Sequence, residues 1–140
     1  MVDYAITFVA GAAVGVLLER FVFAKMKESG IQNRTNALQA CFGEPMIATR
    51  FTLQEAKQWI YARKGQLVNG TKAAVVKVDE NTMKSLGKNL DTRGVENYIV
   101  LVLMTSDKQI ADSLLVKYEK LDQELEDVLA SGNGVLVVQE

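Results

Sequence analysis

The 140-residue chain balances 16 Lys and Arg against 17 Asp and Glu, so it has neither the basic excess that attracts nucleic acid nor the acidic excess of a disordered tail. One cysteine and no histidine exclude an internal disulfide, histidine-based triads and most zinc sites. Hydrophobic residues make up 49% of the chain, but they are unevenly spread: the first 24 residues carry only Asp3, Glu19 and Arg20 as charges.

The first element is this apolar stretch. Residues 4–18 form a charge-free run of 15, and the apolar pattern resumes after Glu19-Arg20 as far as Ala24, 21 positions in all. At about 1.5 Å per residue a helix of that length reaches roughly 31 Å, close to the hydrocarbon thickness of a bilayer. Its apolar residues surround the whole helix circumference, as in a membrane or fully buried helix. Only Asp3 precedes the run, while Arg20, Lys25, Lys27 and Arg34 follow it. The positive-inside rule then predicts an outside N-terminus and a cytoplasmic remainder. Arg20, Lys25 and Lys27 are the expected membrane-interface residues, their stems lying in the apolar layer and their charges at the headgroups. Gly11 and Gly15 form a G-x-x-x-G flanked by small residues, a candidate helix–helix association face. The expectation is a cell-membrane anchor over 1–27, with the bilayer as partner through residues 4–24. The alternative is a cytoplasmic, soluble oligomer that buries this helix between subunits. A secretory signal peptide fits poorly, because no positive charge precedes the run. The Leu38-Gln39-Ala40-Cys41 segment resembles a lipoprotein cleavage box, but polar residues separate it from the apolar run.

Residues 28–50 read as a stalk, with Ser29-Gly30, several Gln and Asn, and the only proline, Pro45; residues 37–42 are a candidate short helix within it. The α+β domain is expected over 51–140. Thr52-Leu53-Gln54-Glu55 is a capping box, and Leu53, Ala56, Trp59 and Ile60 follow at helical spacing. This predicts a helix over 53–64. The run 73–78 reads as a buried strand, 80–86 as a short helix capped by Asp79, and 97–105 as the strongest strand, suited to the centre of a sheet. Residues 106–109 turn the chain, 113–118 is a further strand, 119–130 an amphipathic helix, and 135–139 the last strand. After the extra helix at 53, the order is β-α-β-β-α-β, the arrangement of ferredoxin-like antiparallel sheets.

Little in the chain points to chemistry. Cys41 has no histidine to activate it. Asp79 and Glu80 are accounted for by capping, and Gly132-Asn133-Gly134 by a helix stop and turn. Asp122, Glu124, Glu126 and Asp127 lack the spacing and glycine of a Ca²⁺ loop. Trp59 lies among basic Lys57, Arg63 and Lys64, but at spacing that places it on the apolar face. Residues 50–93 hold nine basic and four acidic side chains, and residues 107–140 three and eight, a dipole able to orient docking. The expected function is a non-enzymatic, single-pass membrane protein with a cytoplasmic interaction or scaffold domain that self-associates. No catalytic residue, cofactor, metal or nucleic-acid partner is expected. A small-ligand sensor is the further alternative, by analogy of fold.

Overall fold

The computed structural model of the protein describes residues 7–10, 24, 28, 30, 39–63, 65, 67, 71–78, 98–107, 109–131 and 134–139. Its frame is an α+β fold, one mixed sheet with helices against a face of it. The strands are β1 (Thr7–Ala10), β2 (Met46–Phe51), β3 (Lys72–Val78), β4 (Tyr98–Met104), β5 (Ile110–Leu121) and β6 (Val135–Gln139). Five of them come from Met46 onward, and β1 adds a sixth at one edge, giving the spatial order β1-β6-β3-β4-β5-β2. All neighbours run antiparallel except β2 and β5, which are parallel. Two helices, α1 (Leu53–Tyr61) and α2 (Gln123–Ser131), follow β2 and β5 directly.

The centre forms where the sequence is most strongly β-forming. Strand β4 reads Tyr-Ile-Val-Leu-Val-Leu-Met, and all seven side chains are buried. Because successive residues point to opposite faces, both faces of the sheet are shielded there. On one face Ile99, Leu101 and Leu103 meet Leu53, Ala56 and Ile60 of α1 and Leu125 and Leu129 of α2 in a single core cluster. On the other face Ala74, Val76, Val100, Val102 and Leu115 are also buried. Burying a side chain of Val, Leu or Ile size contributes about 1.5–3 kcal/mol, so β4 and its neighbours supply most of the cohesion. Between β4 and β5 the Thr105 hydroxyl accepts from Gln109 N–H at 3.1 Å and donates to the Asp107 carboxylate, closing the expected turn.

Several expectations need correction. A ferredoxin-like sheet interposes its third strand between the first two. Here β3 pairs directly with β4 along seven residues, from Lys72 opposite Met104 to Val78 opposite Tyr98. The reason is β2. Strand β5 runs twelve residues, with β4 on one side and β2 on the other, so it cannot also lie beside β3. Residues 46–50, assigned to the stalk, are therefore part of the sheet. Helix α2 begins at Gln123, and Glu119, Lys120 and Leu121, expected as helix, belong to β5, with Lys120 and Leu121 opposite Arg50 and Phe51. Helix α1 stops at Tyr61 with Ala62 as its C-cap, short of the expected Lys64. The helix expected over 80–86 lies outside the described residues.

The N-terminal expectation changes as well. Thr7–Ala10, placed inside a helix over residues 4–24, form a strand whose Thr7, Phe8, Val9 and Ala10 lie opposite Gln139, Val138, Val137 and Leu136. β-branched and aromatic residues favour that conformation once an edge is available to pair with. Among the described residues no helix is long and apolar enough to cross a membrane.

Two glycines shape the turns. Gly43, at φ 88°, ends the helical turn of residues 39–42, its N–H donating to Gln39 O at 2.8 Å, as in a left-handed helix cap. Gly134, also at φ 88°, donates to Leu129 O and accepts from Lys77 N–H, both at 2.8 Å, so one residue closes α2 and starts the pairing of β6 with β3.

Candidate functional site

The parallel pair β2 and β5 sends both chains into helices at the same end of the sheet. Phe51-Thr52-Leu53 and Leu121-Asp122-Gln123 thus form two neighbouring strand-to-helix corners. At the first, the Thr52 hydroxyl accepts from Glu55 N–H at 3.0 Å, the cap expected from the sequence. At the second, Asp122 Oδ1 accepts from Leu125 N–H at 3.0 Å and also from Leu53 N–H at 3.2 Å. One carboxylate therefore caps its own helix and satisfies a first-turn amide of the other. Its negative charge suits the positive ends of both helix dipoles. This pocket of donors is already filled by the chain itself, so it is a structural junction.

A second polar cluster joins α1 to β5. The Arg63 guanidinium sits 4.1 Å from the Trp59 ring centroid, donates from Nε to Asp112 Oδ2 at 2.6 Å, and donates from Nη1 to Trp59 O at 3.0 Å. Trp59 packs against the core as a partly buried side chain. The Arg63 charge is thus engaged by Asp112, and the Trp59 face by Arg63.

The remaining candidate is β2, which among the described residues is paired on one side only, at the end of the sheet opposite β1. Phe51 O accepts from Asp122 N–H at 3.1 Å, which directs the backbone groups of Phe51, Thr49 and Ile47 toward β5. Alternation then turns the N–H and C=O groups of Met46, Ala48 and Arg50 away from the sheet. Ile47 is 71% exposed and Met46 40%, and with Tyr61 they are the exposed large apolar side chains among the described residues. An open edge carrying exposed apolar residues is the kind of surface another chain extends.

Of the residues singled out in the sequence, Gly11, Gly15, Arg20, Lys25 and Lys27 lie outside the described residues, as do Asp79 and Glu80. Cys41 is half-buried in the helical turn of residues 39–42. Asp122 serves as a double cap, and Asp127 accepts from Gln123 Nε2 at 2.8 Å along α2. Among the described residues no group of three or more His, Cys, Asp or Glu side chains comes together as a metal site. The edge at 46–51 was missed in the sequence, although Ile47, Thr49 and Phe51 are strand-forming residues directly after Pro45. Comparison with known proteins finds no matching family model, no matching curated protein and no matching solved structure.

Proposed function

We propose that this chain is a non-enzymatic α+β interaction module that assembles through protein contacts, with its N-terminal apolar segment packed on protein. The observation that carries the reading is the pairing of β1 with β6. Once Thr7–Ala10 are tied into the sheet, only the 14 positions of residues 11–24 remain of the apolar segment, and Glu19 and Arg20 are among them. As a helix that remnant reaches about 21 Å, against a hydrocarbon core of about 30 Å. The segment is too short to span, so its apolar surface calls for a protein partner.

A second reading keeps the bilayer as partner: a single-pass anchor over residues 4–24 with the sheet domain in the cytoplasm. The charge-free run of residues 4–18 and the basic residues after it favour this. It requires β1 to leave β6. The small-ligand reading rested on ferredoxin-like element order and loses that support with the observed strand order.

The deciding experiment introduces Val9→Cys and Val137→Cys, a facing pair, into a Cys41→Ser background. Full-length protein is then fractionated with an alkaline carbonate wash. Release from membranes together with an intramolecular disulfide is the expected result. Retention in washed membranes without that disulfide overturns the proposal in favour of the anchor.

A further inference from the structure

We propose that the β2 edge is a two-fold interface on which a second copy of this chain docks, antiparallel, with Ile47 on the symmetry axis. The inference deepens the assembly reading by naming the surface and the partner.

Three features of the edge select a second copy as the occupant. The first is hydrogen-bond parity. In an antiparallel pairing centred on Ile47, Met46 lies opposite Ala48 of the other copy, and these are residues whose backbone groups point outward. Ile47 then faces its own symmetry mate as a non-hydrogen-bonded pair, the closer of the two pair types at about 4.5 Å between Cα atoms. Pro45, which has no N–H, falls at another position where none is needed. The second is apolar complementarity. Ile47 and Met46, 71% and 40% exposed, are the residues that such a pairing removes from water. The third is charge. The same register places Glu44 opposite Arg50 of the other copy, twice by symmetry, and both side chains are exposed. Within its own sheet Arg50 sits opposite Lys120, a like charge, and neither Glu44 nor Arg50 forms an ion pair with another described residue. The edge is short of a carboxylate where Arg50 stands, and its own Glu44 supplies one only through a second copy. Such an isologous contact closes on itself, joining two sheets into one and covering the β2 edge of each copy.

The test uses full-length protein and sedimentation velocity over a range of concentrations. A dimer is expected. Glu44→Arg and Arg50→Glu each put like charges in contact at two places and weaken it about tenfold. Combining both reversals in one chain restores the dimer, and mixing the two single variants yields a mixed dimer tighter than either alone. Ile47→Lys sets two ammonium groups on the axis and weakens association roughly a hundredfold or more. Its melting temperature in the dilute, monomeric regime stays near that of the parent, because Ile47 is exposed there. A dimer indifferent to all these changes overturns the interface and leaves assembly through protein standing. A chain that stays monomeric overturns the interface. The series reads the same way in detergent, so the interface and the proposed function fail separately.

Discussion

Strands β4 and β2 belong to one sheet and meet opposite conditions. Strand β4 has a neighbour on each side and buries all seven of its side chains. Among the described residues strand β2 has a neighbour on one side only, and of its six residues Phe51 alone is buried. The difference separates two tasks. Interior strands hold the fold together through apolar contact, whereas an edge that contributed as much cohesion would have to hide the surface it offers to other chains. Ile47 and Arg50 add little to the isolated domain and stay available for contact. Phe51, at the end of β2, is where the edge is fastened into the core.

That division can be broken most directly at the centre. Leu101 is fully buried, between Val75 of β3 and Leu114 of β5. Leu101→Ala is expected to lower stability by about 3 kcal/mol, read as a lower urea midpoint at unchanged slope. A loss below about 1 kcal/mol, the scale of a surface change, would show that β4 is not where cohesion lies.

The two corners rank next, and they sharpen the comparison because they join edge to interior. Asp122→Ala removes the acceptor of two part-buried amides, Leu53 and Leu125. Thr52→Ala removes the acceptor of one exposed amide, Glu55. The expected losses are about 2 kcal/mol and about 1 kcal/mol respectively. Asp122→Asn keeps an acceptor oxygen and falls between the parent and Asp122→Ala. Equal losses for Thr52→Ala and Asp122→Ala in urea unfolding would mean that the Leu53 contact carries nothing and that the two strand–helix units are not coupled there.

How much of this was legible in the sequence follows the same gradient. Strand β6 matches its expected limits, β3 and β4 differ by a residue at their ends, and the Thr52 cap is in place, because dense apolar runs and a local capping pattern leave few alternatives. Strand β2 was not legible. An edge strand buries too little to show alternation, and its pairing partner β5 is distant in the chain. Residues 120–121 suit either a strand or an amphipathic helix, and only pairing with Arg50 and Phe51 decides between them. The second role of Asp122 depends on an amide 69 residues away, beyond any local pattern. The run around Thr7–Ala10 is apolar throughout and fits a buried strand as well as a helix, since periodicity is silent when every position is apolar. The candidate interface, Glu44, Ile47 and Arg50, was hidden for the simple reason that its residues read as a stalk.

The smallest effect belongs to Arg63, and it tests how firmly the end of α1 is held to the start of β5. Arg63 bonds Asp112 near the start of β5 while stacking on Trp59, and the two charged side chains are 28% and 37% exposed. At that exposure water and salt screen the pair, so Arg63→Lys is expected to lower stability by only about 0.5–1 kcal/mol, from the loss of the planar fork and of stacking. Raising the salt concentration should shrink the difference between parent and Arg63→Ala without abolishing it, because ring contact and stem packing are not screened. If Arg63→Lys instead weakens the domain as much as Asp122→Ala, then α1 is held from its exposed end as firmly as from the corner. The start of β5 would then be a second fastening point for the helix layer, and cohesion would not be confined to the buried strands and the corners.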